Sequence, residues 1–168
     1  PLCGRNFEYY SEDPYLTAAM AKQYINGIQS KNIGASIKHY LANSQEKLRL
    51  VSDSIVDERA LREIYLPAFE ASVRESQPWT VMCSYNKING TYASENKKYL
   101  TEILRDEWGF KGAVVSDWGS GNNRNEGVEA GLDLEMPYSG PENDKSIVHA
   151  VKNRLLDINA LNKCAVHM

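Results

Sequence analysis

Apolar positions along the chain fall into two patterns, short β-branched runs and longer stretches in which apolar residues recur every four positions. The clearest run is Ala113-Val114-Val115, which leads directly into Asp117. A short apolar run of this kind predicts a strand buried on both faces, as is typical of a parallel sheet covered by helices. Further strands are predicted at 35–41, at 79–86 and, in a short form, at 132–137.

The four-residue spacing between the strands predicts amphipathic helices. Asp13 followed by Pro14 predicts the start of the first helix. The apolar residues expected to form its buried stripe are Leu16, Met20, Tyr24 and Ile28. Asp57 is expected to cap the next helix, which Pro67 should bend. Further helices are predicted from Ser94 to Gly109, near 125–130, across the apolar residues Ile147, Val148, Val151 and Leu155, and after Asp157.

Strands that alternate with helices at this spacing predict repeated βα units. A (β/α)8 barrel usually needs about 250 residues, whereas this chain has 168 and four predicted strands. We therefore expect an α/β fold, a partial (β/α)8 TIM-like barrel with parallel strands that is truncated at both ends. A small open parallel sheet is the alternative. An incomplete barrel would expose strand edges and apolar surface, which favours self-association.

Composition narrows the classes of partner. Lys and Arg total 19 against 22 for Asp and Glu, a formal charge of -3 with no basic block, so nucleic acid and membrane surfaces are not expected partners. No apolar run approaches the roughly 18 residues of a membrane span. The widely spaced Cys3, Cys83 and Cys164 indicate buried thiols rather than a disulfide framework or a zinc site. Their odd number favours a cytoplasmic location, with secretion as the alternative because a signal peptide would precede Pro1.

Three predicted strands end in polar or aromatic side chains, namely Lys38-His39, Tyr85-Asn86 and Asp117-Trp118. Parallel strands place these ends at one edge of the sheet, so a cation, an imidazole, a phenol, a carboxylate and an indole can converge there. This set suits a polyhydroxylated ligand, because hydroxyls need fixed donors and acceptors and an aromatic face packs against the C–H face of a sugar ring.

Each of these residues also has a structural interpretation. Lys38 could be a surface lysine and His39 a hydrogen-bonded structural histidine. Tyr85 and Trp118 could be ordinary core aromatics. Arg5 could tie down the first turn through a surface pair with Glu8 or Asp13, which would contribute little.

The sequence contains no glycine-rich phosphate loop, no G-x-S-x-G elbow and no H-E-x-x-H motif. The three histidines are too scattered for a metal site with recognisable ligand spacing, so no metal or cofactor is expected. An aldolase-type barrel with Lys38 as a Schiff-base lysine is a second enzymatic alternative.

Colinear motifs cover nearly the whole chain, at 4–8, 11–14, 38–40, 57–63, 82–86, 104–110, 116–118 and 131–137. In this order they resemble glycoside hydrolase family 3, the β-glucosidase group. The resemblance implies that residues 1–168 are the C-terminal part of the family's N-terminal (β/α)8-like catalytic domain, without its second α/β sandwich domain.

The resemblance also implies an activity, the retaining hydrolysis of terminal β-D-glucosyl residues. In the family the residue that matches Asp117 is the nucleophile that forms the glycosyl-enzyme. The residues that match Arg5, Lys38 and His39 bind sugar hydroxyls, and those that match Met82, Tyr85 and Trp118 line the pocket. The acid/base glutamate of the β-glucosidases comes from the second domain, so no residue here is assigned to that role. We expect little or no turnover from the isolated chain, on a β-glucoside or oligosaccharide substrate.

The run after Lys38-His39-Tyr40 distinguishes branches of the family. It continues as Leu41-Ala42-Asn43, unlike the Lys-His-Phe-Pro-Gly-His-type run of the bacterial N-acetylglucosaminidases. This difference favours the glucosidase or xylosidase branch, so β-xylosidase specificity is one alternative. A non-catalytic sugar-binding or structural remnant is the alternative from another class.

Overall fold

The computed structural model describes residues 3–168; Pro1 and Leu2, with which the predicted domain begins, lie outside the described residues. The strands are β1 (Ser36–Tyr40), β2 (Asp53–Ser54), β3 (Thr80–Cys83), β4 (Lys87–Ile88), β5 (Thr91–Tyr92) and β6 (Ala113–Val115). The α-helices are α1 (Pro14–Gln29), α2 (Glu58–Ala60), α3 (Pro67–Ser76), α4 (Arg124–Ala130), α5 (Pro141–Lys152) and α6 (Ile158–Val166). Two π-helical segments, Leu61–Tyr65 and Lys98–Glu107, and two 3₁₀ turns, Asn6–Glu8 and Ala93–Glu95, accompany them.

Three parallel strands, in the order β1, β3 and β6, form the sheet that carries the candidate site. The predicted parallel α/β architecture is therefore confirmed. The predicted strand at 132–137 is reduced to one parallel bridge between Val115 and Leu134. It is this short because side-chain oxygens, rather than backbone carbonyls, accept from the amides of Val114 and Met136.

A small second sheet packs beside the first. β4 and β5 are antiparallel, and β2 pairs in parallel with β4. The predicted turn at Asn89-Gly90 joins β4 to β5, and both turn residues have positive φ, 51° and 95°. The strands themselves were not predicted, since two residues are too few to show an alternating pattern.

The first helix begins where predicted, because the Asp13 carboxylate accepts from the amides of Tyr15 and Leu16. The predicted buried stripe is wrong, however. Tyr24 is 62% exposed, Leu16 and Met20 are also exposed, and Ile28 is only half-buried. α1 packs against α3 and buries Ala18 and Ile25 instead. The helix carries two apolar faces, and its packing partner selects one of them.

The helix predicted after Asp57, with a bend at Pro67, is divided into separate segments, and the last of them begins at Pro67. Asp57 caps α2 through the amide of Ala60. The chain then widens into a π-helical turn in which Leu66 N donates to Leu61 O at 2.8 Å, and α3 starts at Pro67. A proline has no N–H to continue the ladder, so a widened turn followed by a new first turn accommodates it.

The helix predicted from Ser94 begins later, at about Lys98. Ser94 lies in a 3₁₀ turn, and its hydroxyl donates to Ser120 O instead of capping a helix. Gly109 follows the end of the helix with a φ of 74°, as its predicted role requires.

The main core lies between the parallel sheet and the helices. Tyr40, Val81 and Val114 from the three strands meet Leu61 and Leu100 from the helices, all fully or almost fully buried. A smaller cluster holds α5 and α6 through Val128, Ala150, Leu156 and Cys164. The predicted stripe of α5 is only partly correct: Ile147 and Val151 pack against this cluster, whereas Val148 and Leu155 are exposed.

A buried carboxylate fastens the end of the chain to the sheet. Asp133 Oδ2 accepts from Val114 N at 2.7 Å and from Arg105 Nη2 at 2.5 Å, and Asp133 Oδ1 lies 2.9 Å from His167 Nδ1. The three cysteines are buried thiols. Within residues 3–168, no helix has the length and apolar character required to cross a membrane.

We expect Gly112→Ala to destabilise the chain by about 1–3 kcal/mol. A Cβ at this position would lie 2.2 Å from Trp79 O, the carbonyl that accepts from Ala113 N at the start of the β3–β6 pairing. Urea unfolding measures the change in the free energy of unfolding.

Gly27→Ala is the matched control, because nothing lies within 4 Å of the added Cβ and the residue is in the interior of α1. It should stabilise the chain by up to about 1 kcal/mol. Equal effects of the two substitutions would contradict the close approach at Gly112.

Candidate active site

Asp117 follows β6 directly and is the buried acid of the candidate site. Its residue is 8% exposed. Oδ1 accepts from Trp118 N at 2.7 Å, whereas Oδ2 is buried and makes no hydrogen bond among the described residues. Burying a carboxylate oxygen that makes no hydrogen bond costs free energy unless a positive charge or a ligand compensates for the lost hydration.

His39, at the end of β1, faces that oxygen. Its Nε2 lies 3.4 Å from Asp117 Oδ2 and 3.9 Å from Glu8 Oε2. On the other side of the ring, the Tyr9 hydroxyl lies 2.6 Å from Nδ1. Burial lowers the pKa of His39 to about 4, and the nearby cations Lys38 and Arg5 add to this effect while Asp117 opposes it. The imidazole is therefore neutral near pH 7.

Glu8 balances the two cations of the site. Arg5 Nε and Nη2 donate to Glu8 Oε1 and Oε2 at 2.6 and 2.8 Å, and Lys38 Nζ donates to Oε2 at 2.5 Å. The hydrogen bonds from Arg5 and Lys38 lower the pKa of Glu8 to about 2. Of the two partners considered for Arg5, Glu8 and Asp13, the structure shows Glu8, in a partly buried pair rather than at the surface, and Lys38 shares the same partner.

An irregularity in β1 brings Lys38 and His39 to this group together. The register between β1 and β3 shifts between Ile37 and Tyr40. Adjacent residues in a regular strand point to opposite faces of the sheet. The irregularity coincides with Lys38 and His39, both of which approach Glu8.

Two aromatic residues border Asp117. The Tyr85 hydroxyl donates to Trp118 O at 2.8 Å, and the Arg49 guanidinium lies 4.6 Å from the centre of the Tyr85 ring. Trp118 is 65% exposed, so the core interpretation of this residue is wrong. Tyr85 is buried, and burial raises the pKa of its hydroxyl.

Met82 and Asn86 differ from the rest of the predicted set. Met82 is half-buried on β3 and pairs in register with Val115, one strand away from Asp117. Asn86 is buried, and its amide donates to the carbonyls of Leu41 and Lys87. Asn86 therefore fastens the loop after β1 rather than facing the site.

Sequence reasoning missed three contributors. Glu8 was expected only as a surface partner of Arg5, and neither Tyr9 nor Arg49 was singled out. Arg49 is oriented by Glu46 at 2.9 Å. Glu8 lies within the family-like motif at 4–8, so this motif is a sequence signal from which its place in the site could be predicted. The positions of Tyr9 and Arg49 depend on the paths of irregular loops.

A cavity of about 620 Å³ lies next to this group, lined by His39 and Tyr9 together with Asn43, Tyr65 and Phe69 among others. Asp117, Lys38 and Trp118 do not line it. The cavity therefore adjoins the Nδ1 side of His39, and the candidate site is defined by the charged groups and not by this cavity. Among residues 3–168, no group of three or more His, Cys, Asp and Glu is arranged to hold a metal ion.

These features define a class, an α/β protein of the (β/α)-barrel type with its polar residues at the carboxyl ends of parallel strands. The model of the "Glycosyl hydrolase family 3 N terminal domain" matches residues 1–168. The chain belongs to this family, and the resemblance proposed from its motifs is confirmed.

Two curated relatives illustrate the range of the family. The "Thermostable beta-glucosidase B" of Acetivibrio thermocellus is 57% identical over 163 residues, which are 97% of this chain and 22% of the relative. The "Exo-alpha-(1->6)-L-arabinopyranosidase" of Bifidobacterium longum is 52% identical over 168 residues, 100% of this chain and 22% of the relative. The chain thus spans about a fifth of the length of these relatives.

Solved structures share the fold. Beta-glucosidase 3B from Thermotoga neapolitana in complex with glucose superposes with a TM-score of 0.95 at 49% identity, over 100% of this chain and 24% of that one. Beta-glucosidase from Kluyveromyces marxianus in complex with glucose gives the same TM-score at 38% identity, over 99% of this chain and 20% of that one. The partial-barrel architecture is confirmed by these superpositions.

The depressed pKa of His39 predicts how stability changes with pH. An unfolded histidine titrates near 6.5, so between about pH 4 and 6.5 the unfolded chain binds more protons than the folded chain. The free energy of unfolding should therefore be highest above pH 6.5 and fall as the pH drops towards 4. Denaturant titrations at closely spaced pH values measure this slope.

His39→Gln should flatten that slope between pH 4 and 6.5, whereas the exposed His149→Gln should preserve it. Acidification through the window of Glu8, from about 4.5 down to 2, should still destabilise both variants. An unchanged slope in His39→Gln would show that His39 is not held neutral.

Proposed function

We propose that this chain supplies the nucleophile and part of the sugar subsite of a retaining β-glycosidase, with Asp117 as the nucleophile. The observation that carries this proposal is the buried Oδ2 of Asp117, which makes no hydrogen bond among the described residues and lies just after the end of β6. A carboxylate oxygen that is free of hydrogen bonds keeps its lone pairs available for attack on a carbon centre.

The proposed reaction proceeds in two steps. First, Oδ2 of Asp117 bonds to C1 of the sugar while the glycosidic C1–O bond breaks, and an acid residue gives its proton to the leaving oxygen. Next, the same residue takes a proton from water, the water oxygen bonds to C1, and the bond from C1 to Oδ2 breaks. The sugar leaves with its original anomeric configuration, and Asp117 is regenerated.

The acid of the first step is not Glu8. Both of its oxygens are engaged by Arg5 and Lys38, and those hydrogen bonds lower its pKa to about 2. A carboxyl group with so low a pKa is ionised at neutral pH and has no proton to donate. We propose that a second domain supplies the acid, as the family resemblance implies, and that residues 1–168 form the C-terminal part of the barrel domain.

The remaining predicted residues bind the sugar in this proposal. Arg5 and Lys38 place positive charge beside Asp117 and can donate to ring hydroxyls, and neutral His39 can donate from Nε2. The exposed indole of Trp118 offers an apolar face for the sugar ring, with Tyr85 and Met82 as neighbouring walls.

Lys38 is poorly suited to the aldolase-type alternative. A Schiff-base lysine must attack as a free amine, usually in a desolvated pocket. Here the amine nitrogen is partly exposed and already paired with the Glu8 carboxylate at 2.5 Å, so it does not lie in a desolvated pocket.

The substrate class we propose is a terminal β-D-glucosyl residue, supported by the names of the similar beta-glucosidases. The similar exo-α-(1→6)-L-arabinopyranosidase supports an α-L-arabinopyranosyl residue as a second candidate. β-Xylosidase specificity and non-catalytic sugar binding are the remaining alternatives.

Covalent trapping tests the nucleophile. A 2-deoxy-2-fluoro-β-D-glucoside with an activated aryl leaving group needs little protonation at the leaving oxygen, so the reaction does not depend on the acid residue. We expect mass spectrometry to find one fluoroglucosyl group on the peptide that contains Asp117.

Asp117→Asn should abolish the adduct, whereas Asp106→Asn, at an exposed aspartate, should leave it unchanged. The corresponding fluorinated arabinopyranoside and xyloside, compared by their trapping rates, distinguish the substrate classes. Saturable glucose binding without any adduct would support the non-catalytic alternative instead.

A further inference from the structure

Tyr9 contacts the ring nitrogen of His39 that faces away from Asp117. The Tyr9 hydroxyl lies 2.6 Å from His39 Nδ1, and the two rings are tilted by 51°. Burial raises the pKa of Tyr9 to about 12 and lowers that of His39 to about 4. The phenol keeps its proton and the imidazole is neutral, so the hydroxyl can donate to an unprotonated Nδ1 or accept from a protonated one.

The groups that face Nε2 distinguish the two positions of the single imidazole proton. A neutral imidazole has one N–H, and when Nδ1 accepts a hydrogen bond the proton is on Nε2. Nε2 lies 3.4 Å from Asp117 Oδ2 and 3.9 Å from Glu8 Oε2. The opposite tautomer would direct a lone pair at two carboxylates, so the surroundings of Nε2 favour the tautomer in which the Tyr9 hydroxyl donates to Nδ1.

We propose that Tyr9 is a positioning residue that fixes His39 in the tautomer with its proton on Nε2, directed at Asp117. The consequence for catalysis rests on the function proposed above. In the free site the N–H faces the carboxylate that is to become the nucleophile. When a sugar enters, the same N–H is already oriented to donate to a ring hydroxyl.

The surroundings of His39 are consistent with this role. The charged groups that face it are Asp117 and Glu8 on the acidic side and Lys38 and Arg5 on the basic side. Two negative and two positive groups therefore face the ring, and their charges cancel without a positive charge on the imidazole. Tyr9 is the described residue whose hydroxyl reaches the second ring nitrogen.

Nitrogen-15 NMR of ring-labelled histidine tests the assignment on the chain. The chemical shifts of Nδ1 and Nε2 separate the two neutral tautomers, and His149 and His167 provide internal references. At pH 7 we expect His39 to be almost wholly protonated on Nε2. A resonance pattern with the proton on Nδ1 would overturn the proposal without any variant.

Tyr9→Phe removes the hydroxyl and keeps the ring. We expect His39 to become a mixture of tautomers in this variant, whereas a purely structural role for Tyr9 would leave the tautomer unchanged. Tyr10→Phe is the matched control, since its neighbouring ring packs edge-on against Tyr24 and should not affect His39.

Trapping kinetics separate this inference from the proposed function. In Tyr9→Phe we expect the maximal rate of adduct formation to fall about tenfold, with a smaller change in the concentration for half-maximal rate. An adduct on Asp117 with an unchanged tautomer and rate in Tyr9→Phe would overturn the role of Tyr9 alone. If the tautomer shifts as expected in Tyr9→Phe but no adduct forms on Asp117 in the unsubstituted chain, the proposed function is overturned and the role of Tyr9 stands.

Discussion

The candidate site depends on one acidic side chain that satisfies two cations. Glu8 engages Arg5 and Lys38 with hydrogen bonds of 2.5–2.8 Å. Without Glu8, two positive charges would lie beside His39, and Asp117 would be one of the acidic groups left to balance them, with Glu46 near Arg5 as another. Glu8 therefore leaves Asp117 influenced by positive charge but free of direct ion pairs on Oδ2. The arrangement of the charged groups in the site follows from these two roles: Glu8 binds the cations, and Oδ2 of Asp117 remains free of them.

Much of the fold could be predicted from the sequence because its signals are local. The runs that form β1, β3 and β6 are short and lie between helix and turn signals, and the caps at Asp13 and Asp57 act within one turn. Which face a helix buries is not determined by local sequence. In α1 both the Leu16 face and the Ile25 face are apolar, and the contact with α3 selects the second. The two-residue strands β2, β4 and β5 are likewise products of tertiary pairing.

The residues of the candidate site also differ in whether local sequence signals can predict them. Arg5, Lys38, His39 and Asp117 could be predicted because they occur in motifs and at the ends of predicted strands. The importance of Glu8 and Tyr9 could not, because it arises where the segment after Arg5 folds back against β1 across about 30 residues of sequence. Arg49 belongs to the same category, since the loop that places it over Tyr85 has no periodic pattern. Local patterns identify which groups carry charge, and the tertiary fold determines which charges meet.

The difference between the two carboxylates supports the proposal that Asp117, and not Glu8, attacks the sugar. Hydrogen bonds from cations stabilise an anion and reduce its tendency to form a new bond, and Glu8 accepts three of them. Asp117 accepts one, on Oδ1, from the backbone of its neighbour. That bond fixes the orientation of the carboxylate and leaves Oδ2 unoccupied. A neutral His39 beside Oδ2 adds a dipole rather than a full charge, so it can orient the oxygen without forming the ion pair that would block its attack.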